Sequence, residues 1–369
     1  MLSLIDFICK TDNSELAEFI SEQVDDFVEA LEHEFADEPL QKISAEMLDE
    51  LTERASEHLA MIKNHADEPP QPYQLVPEIA LLERLPSHQR KRFYHALSLM
   101  HQAGDKGLTW EQIATASAIS PYHFHRQFSA LFNETPGHYL SRYRLQVAVS
   151  YLLSDQARST TEIAQEAGFS SSQALAKALK RELGLTASQI KTMATQATPQ
   201  QTIALMAQLA HPSAGATDSA NGNIEAELGQ AMPTELIWYP QRGMKQLKKA
   251  NPDWDKLFER FGKKSARLLG VTPINQLDNC WSQIHTLIGD WQVAPRQYDI
   301  TINEGYYLCA EVYVVSDVGY SSAIEALFSC AEQQGLVLDE QGVLIELVRD
   351  IELTDIGGAT FSLQIPICC

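Results

Sequence analysis

Apolar residues recur at intervals of three and four through most of the first 210 positions, and in short strand-like runs after residue 233. The clearest helical pattern occurs twice. Ile113-Ala114 is followed after three residues by Ala118-Ile119-Ser120; fifty positions later Ile163-Ala164 is followed after three by Gly168-Phe169-Ser170. Beyond the turn the register slips by one, so that Phe124, Arg126, Phe128, Phe132 and Thr135 correspond to Leu175, Lys177, Leu179, Leu183 and Thr186. Each copy reads as a short helix with a small Ala at a close crossing, a tight turn, and a Ser N-cap opening a second helix. That is an internally repeated helix–turn–helix.

The second helix of each copy has two unlike faces. Over Pro121–Asn133, Phe124, Phe128, Leu131 and Phe132 form an apolar stripe, and Tyr122, His125, Arg126 and Ser129 share the opposite face. Over Ser171–Gly184 the stripe is Leu175, Ala178, Leu179 and Leu183, while Ser172, Gln173, Lys177 and Lys180 are the outward candidates. A helix held by its apolar back and presenting Arg, His, Gln and Lys suits the DNA major groove. The competing reading is a pair of surface helices with solvated charges; two copies on one spacer favour DNA. The second copy offers mostly lysines and a glutamine among alanines, which predicts less base reading and more phosphate contact.

Between the copies, Thr135-Pro136 is an N-cap with Pro at the first helical position. Tyr139, Tyr143, Leu145, Val149, Leu152 and Leu153 follow at helical spacing. A helix of about 18 residues spans roughly 27 Å. It therefore holds two recognition helices about one DNA turn, roughly 34 Å, apart. Here the chain resembles the AraC/XylS family of transcription regulators. The resemblance rests on Pro136, Tyr139, Arg144-Leu145, Ala148 and Leu152-Leu153, followed by Ile163-Ala164 and Gly168-Phe169-Ser170, and covers residues 89 to 193. The family's Phe-x-Arg-x-Phe-Lys in the second reading helix is here Leu175-Ala176-Lys177-Ala178-Leu179-Lys180, and its closing Thr-Pro is Thr186-Ala187.

The flanks divide the rest of the chain. Residues 1–68 read as an acidic helical hairpin, with Asp12 and Glu15 as a capping box and apolar stripes through Phe19, Phe27 and Leu31 and through Leu51, Ala55 and Leu59. Such a hairpin cannot bury both stripes alone, so it is expected to dock on the DNA-binding domain, on a second copy of the chain or on another protein. A Pro-rich connector is expected at 69–83, the DNA-binding domain at 84–194, and a linker at 195–232 with a helix near Gln200–Leu209.

Residues 233–369 change character. Strands are expected at Glu235–Tyr239, Cys280–Leu287, Gln297–Ile302, Tyr306–Val315, Val343–Arg349 and Ala359–Ile367, and helices at Trp254–Leu269 and Ser322–Gln334. The order is β-α-β-β written twice. On Tyr239-Pro-Gln-Arg242-Gly243, Tyr298-Asp299, Ile345-Glu346 and Ile365-Pro366-Ile367, this region is similar to the GyrI-like ligand-binding domain, which is often attached behind AraC-type DNA-binding domains. The fold class expected is multi-domain: an all-α tandem helix–turn–helix between a helical N-terminal segment and a C-terminal α+β domain. Glu346 stands alone in the apolar run Val343–Val348, which marks either an edge or a pocket where a cation neutralises it. Trp238, Tyr306, Tyr307 and Tyr313 are the expected aromatic walls of that pocket.

Charge sharpens the division. The chain carries −21 overall, yet residues 1–68 hold 4 basic against 19 acidic side chains, while 84–194 hold 13 against 7. Only the helix–turn–helix region is positive, as phosphate contact requires. The six cysteines lack C-x-x-C spacing, so zinc is not expected and reduced thiols in the cytoplasm are. No apolar run approaches a membrane span. No G-x-S-x-G is present, His285 has no Ser or Cys at motif spacing, and Pro-Cys-His-Arg is absent, so no catalysis and no cofactor is expected. The expected function is DNA-binding transcription regulation under a small apolar or cationic effector. RNA polymerase, and a second copy through the N-terminal helices, are further candidate partners. The alternative for the C-terminal region is a small hydrolase or a protein-interaction module.

Overall fold

The computed structural model describes residues 71–102, 108–213, 222–247, 253–352 and 357–368. The expected hairpin over 1–68 lies outside the described residues. Pro72–Cys369 forms one compact unit.

The described chain opens with a two-residue strand, β1 (Tyr73–Gln74), then α1 (Pro77–Leu82) and α2 (Ser87–His101). The repeated helices follow: α3 (Trp110–Ala116), α4 (Pro121–Phe132), α5 (Pro136–Ser154), α6 (Thr160–Glu166) and α7 (Ser172–Glu182). Each begins where a side-chain oxygen accepts from the first turn. Thr109 and Gln112 make a capping box at α3, and fifty residues on Ser159 and Glu162 make another at α6. Ser120, Thr135 and Ser171 cap α4, α5 and α7 in the same way. The turns also repeat. Ile119 N donates to Ala114 O at 3.0 Å, and Phe169 N to Ala164 O at 2.7 Å. The hinge residue is left-handed in both, Gly168 at φ 77 and Ala118 at φ 55. A non-glycine residue there costs on the order of 1 kcal/mol, so packing overrides local preference in the first copy.

Helix α5 serves two cores. Its first turns place Tyr139 and Leu140 among Phe93, Phe124, Phe128 and Phe132. Its later turns place Leu145, Ala148, Val149 and Leu152 against Ile163, Leu175 and Leu179. After α8 (Ala187–Gln196) and α9 (Pro199–Ala207), Leu205, Met206, Leu209 and Ala210 also enter the second core. The expected linker at 195–232 is therefore folded over its described residues. Its N-terminal part seals the second module, and α10 (Ile224–Gln230) lies on the C-terminal region with Met232 in the core there. Small, polar residues at 211–223 masked the apolar residues on either side.

The C-terminal region contains β2 (Glu235–Tyr239), β3 (Arg242–Gln246), α11 (Trp254–Phe261), β4 (Leu268–Pro273), β5 (Leu287–Asp290), β6 (Ile300–Ile302), β7 (Gly305–Val314), α12 (Asp317–Gln333), β8 (Val343–Ile351) and β9 (Ala359–Ile367). The sheet order is β1-β7-β9-β8-β4-β5-β3-β6, with β2 also on β7. Two units, β3-α11-β4-β5 and β7-α12-β8-β9, have matching internal orders and meet along the antiparallel pair β4–β8. The duplicated β-α-β-β order is present, although β3 rather than β2 opens the first unit.

Several boundaries differ from the expected ones. The helix expected to reach Leu269 stops at Phe261, where Gly262 turns at φ 53, and Leu268–Thr272 forms a fully buried strand. An apolar run buried on both faces has no alternation to betray it. The strand expected at Cys280–Leu287 is instead a 3-10 turn at Trp281–Gln283 and a strand only from Leu287. Trp281 is drawn away from the sheet, because its N–H donates to Ala197 O at 3.0 Å and its indole to Thr202 Oγ1 at 3.1 Å. Similarly, Pro295–Gln297 is a 3-10 turn before β6, and α12 begins at Asp317 behind a Ser316 cap, earlier than expected.

The connector expected at 69–83 is structural over its described residues. Tyr73 and Gln74 pair in parallel with Val312 and Tyr313, Leu75 enters the C-terminal core, and Leu82 enters the core of the first helix–turn–helix. Beside it lies a buried polar cluster. His211 Nδ1 is 2.7 Å from Glu225 Oε1 and its Nε2 is 3.0 Å from Glu78 Oε1, while the Tyr139 hydroxyl donates to Glu78 at 2.8 Å. Arg142 donates to Glu134 at 2.6 Å and to Leu209 O at 3.0 Å. Burial and Arg142 push the His211 imidazole down, but Glu78 and Glu225 outweigh them and raise it to about 9. One cluster thus joins α1, α5, the segment after α9, and α10.

Candidate nucleic-acid interface and candidate effector site

The reading face of α4 is built from behind. Phe124, Phe128 and Phe132 have no exposed surface, with ring centroids 5.3 and 4.3 Å apart along the stripe. The helix cannot roll without emptying the core, so its opposite face is fixed outward. Tyr122 is 72% exposed, and His125 and Arg126 are exposed. The His125 ring rests 5.4 Å from Trp110 of α3, which steadies it. Ser129 departs from expectation: it is half-buried and its hydroxyl is shielded from solvent. One further turn along the helix, the i+7 position has rotated toward the core.

In α7, Gln173 and Lys177 are exposed above Leu175, Ala178 and Leu179. Ser172 is half-buried at the first helical position. Lys180 is exposed, but its Nζ donates to Gly184 O at 2.8 Å and so closes the end of its own helix. The second module presents fewer free polar groups than the first.

The expected effector residues are not gathered in one place. Glu346 is 7% exposed and lies on the sheet face covered by α11 and α12. The Trp254 indole donates to Glu346 Oε1 at 3.0 Å, and the Tyr320 hydroxyl donates to the same oxygen. Burial raises the Glu346 carboxyl, opposed by the Trp254 hydrogen bond. Trp254 and Tyr320 both pack on Phe361, at 5.5 and 5.2 Å. This aromatic cluster draws Trp254 from the first β-α-β-β unit and Tyr320 from the second.

Trp238 and Tyr306 face each other on β2 and β7, at 50% and 38% exposure, at the sheet's margin. Tyr313 lies toward the other end of β7 and donates to Glu352 at 2.9 Å. None of the three belongs to the Glu346 cluster, and neither does Tyr307, which lies in the core on the opposite sheet face. The strand alternation correctly placed a carboxylate among apolar residues, but its partners come from helices. A signal was available in the internal repeat, because each unit's helix opens with an aromatic in its first turn.

A separate cavity of about 220 Å³ lies on the sheet face opposite Glu346, lined by Val271, Leu287, Ile302, Tyr307 and Val343, with Asp339 beside them. His285 reaches this cavity, is exposed, and pairs with Gln276 Oε1.

Residues 113–193 match the family model described as a helix-turn-helix domain. The chain is 34% identical over 88 residues to the HTH-type transcriptional regulator AlkR of Acinetobacter baylyi, which covers 24% of this chain and 28% of that protein. It thus spans little more than a quarter of this curated relative's length. Among solved structures, a transcriptional regulator from Chromobacterium violaceum, described as AraC-type DNA-binding domain-containing, is 22% identical. That match covers 30% of this chain and 98% of the other, with a TM-score of 0.27. Among the described residues no helix is long and apolar enough to cross a membrane.

Proposed function

From a matched helix-turn-helix domain whose two reading helices share one spacer, we propose that the chain is a transcription regulator binding double-stranded DNA through α4 and α7. A small apolar or cationic effector, taken up beside Glu346, controls it. The observation that supports DNA binding most directly is the pairing of a buried aromatic stripe with an exposed Tyr122, His125 and Arg126 face in α4, repeated more weakly in α7. The modules read DNA unequally, with α4 supplying base contacts and Lys177 of α7 supplying mainly phosphate contact. RNA polymerase, and a second copy through residues 1–68, are the other partners in this reading.

The test begins by selecting bound fragments from genomic DNA, then compares Arg126→Ala on the selected site and on random DNA. Arg126→Ala weakens the selected site by about 1–3 kcal/mol and random DNA little. Equal losses on both would leave Arg126 as a phosphate contact only.

The effector reading draws on the aromatic cluster around Glu346 between two like units, an arrangement in keeping with the GyrI-like resemblance. Trp254, Tyr320 and Phe361 replace Trp238, Tyr306 and Tyr313 as its walls. A cation entering there would meet a buried carboxylate and aromatic faces, each favouring it over water. Quaternary ammonium and phosphonium salts raise the thermal midpoint of the wild type and leave Glu346→Gln almost unmoved. Equal shifts in both proteins would remove Glu346 from the site.

A further inference from the structure

Four consecutive residues in the first turn of α12 touch four different parts of the molecule. Asp317 is hydrogen-bonded to Ser150 of α5. Val318, 2% exposed, belongs to the core of the second helix–turn–helix, with Leu179 and Leu205, and not to the sheet's own core. Gly319 lies against the backbone of the N-terminal strand segment: a Cβ there would sit 3.2 Å from Leu75 O. Tyr320 donates its hydroxyl to Glu346.

Further along, α12 packs closely on α10, where a Cβ on Gly229 would approach Ala326 Cβ to 3.0 Å and Ser322 O to 3.2 Å. The helix has no room to slide on that side. A change at Tyr320 is therefore passed to its first turn, since a packed helix end moves as a unit between discrete arrangements.

We infer that the first turn of α12, Asp317–Tyr320, transmits the state of the Glu346 carboxylate to the second helix–turn–helix module. This inference rests on the effector reading of Glu346 and specifies how occupancy is felt. The Tyr320 hydroxyl is held by the Glu346 carboxylate, and Val318 is seated in the second module's core, where α12 packs on α9. A cation that takes over the carboxylate frees the Tyr320 hydroxyl. The first turn then relaxes, and Val318 withdraws from the core it shares with Leu179 of α7 and Leu205 of α9. The signal reaches the phosphate-gripping module directly. The first module's own core, Phe93, Phe124, Phe128 and Phe132 with Tyr139, contains no residue of α12.

The test uses hydrogen exchange on the full chain, without DNA or any ligand, so it is independent of whether a ligand has been found. Tyr320→Phe removes the hydroxyl and keeps the ring on Phe361; Glu346→Gln removes the charge and keeps the shape. Either variant speeds exchange in α6, α7 and α8 by about threefold or more and leaves α3 and α4 unchanged. In a Val318→Ala background, where the seat is already lost, adding Tyr320→Phe changes α6 to α8 by less than about twofold. Exchange changes confined to α11, α12 and β8 would overturn the inference, as would equal changes in both modules. Neither result would bear on whether salts bind at Glu346, and failure of those salts to bind would leave the exchange result standing.

Discussion

Glu225→Ala is expected to lose about 3–5 kcal/mol of stability near pH 6, because it strips one of two carboxylates from a buried imidazolium. Glu225 has no exposed surface and contacts His211 twice, at 2.7 Å to Nδ1 and 3.0 Å to the backbone N–H. The effect depends on pH with a definite sign. His211 titrates near 6.5 when unfolded and near 9 when folded, so its contribution is complete below 6.5 and disappears as pH rises through 9. Glu78 is held well below its usual 4.5, with burial opposing and His211 dominating, so its contribution is present above 4.5 and fades in acid. Full benefit is therefore confined to the window between about 4.5 and 6.5. Urea unfolding of wild type and Glu225→Ala at pH 5.5, 7.5 and 9.5 measures it. The gap between the two proteins narrows toward pH 9.5; a constant gap would mean that His211 is not charged in the folded state.

Phe128→Ala is expected to cost a similar 3–5 kcal/mol, and to cost it in the first module alone. The Phe128 ring has no exposed surface and stands between Phe124, Phe132 and Tyr139, at 5.3, 4.3 and 5.3 Å. Its loss leaves a cavity directly behind Arg126 and His125, so the reading face loosens. The second module draws on a different set of residues, Leu152, Ile163, Leu175 and Leu179 among them. Hydrogen exchange then shows α3 and α4 losing protection while α6 and α7 keep theirs. Selective DNA binding drops toward the level seen on random fragments. Equal loss in both modules would show that α5 makes them one cooperative unit.

What was legible in the sequence was whatever depends on neighbours within about ten positions. The helix–turn–helix repeat is of this kind: Thr109 with Gln112, Ser159 with Glu162, and the stripes Phe124–Phe128–Phe132 and Leu175–Leu179 are local patterns that capping and burial enforce on their own. So were the exposed Tyr122, His125 and Arg126, since an apolar back determines an outward front. The strands β7, β8 and β9 announced themselves through length and β-branched content.

Tertiary structure decided the rest. Ser129 turned out half-buried because a helix does not repeat exactly every seven residues, and small offsets move an edge position toward the core. Lys180 is claimed by the carbonyl of Gly184, just past the end of its own helix. Val318 was read as part of the sheet domain, yet the second helix–turn–helix buries it. Glu346 is legible as a carboxylate in an apolar strand, but its partners Trp254 and Tyr320 stand 92 and 26 residues away, on helices that only the meeting of two β-α-β-β units brings over one strand. Periodicity reports which face of an element is apolar. It carries no information about which distant element covers that face, because that choice is made by the packing of the whole chain.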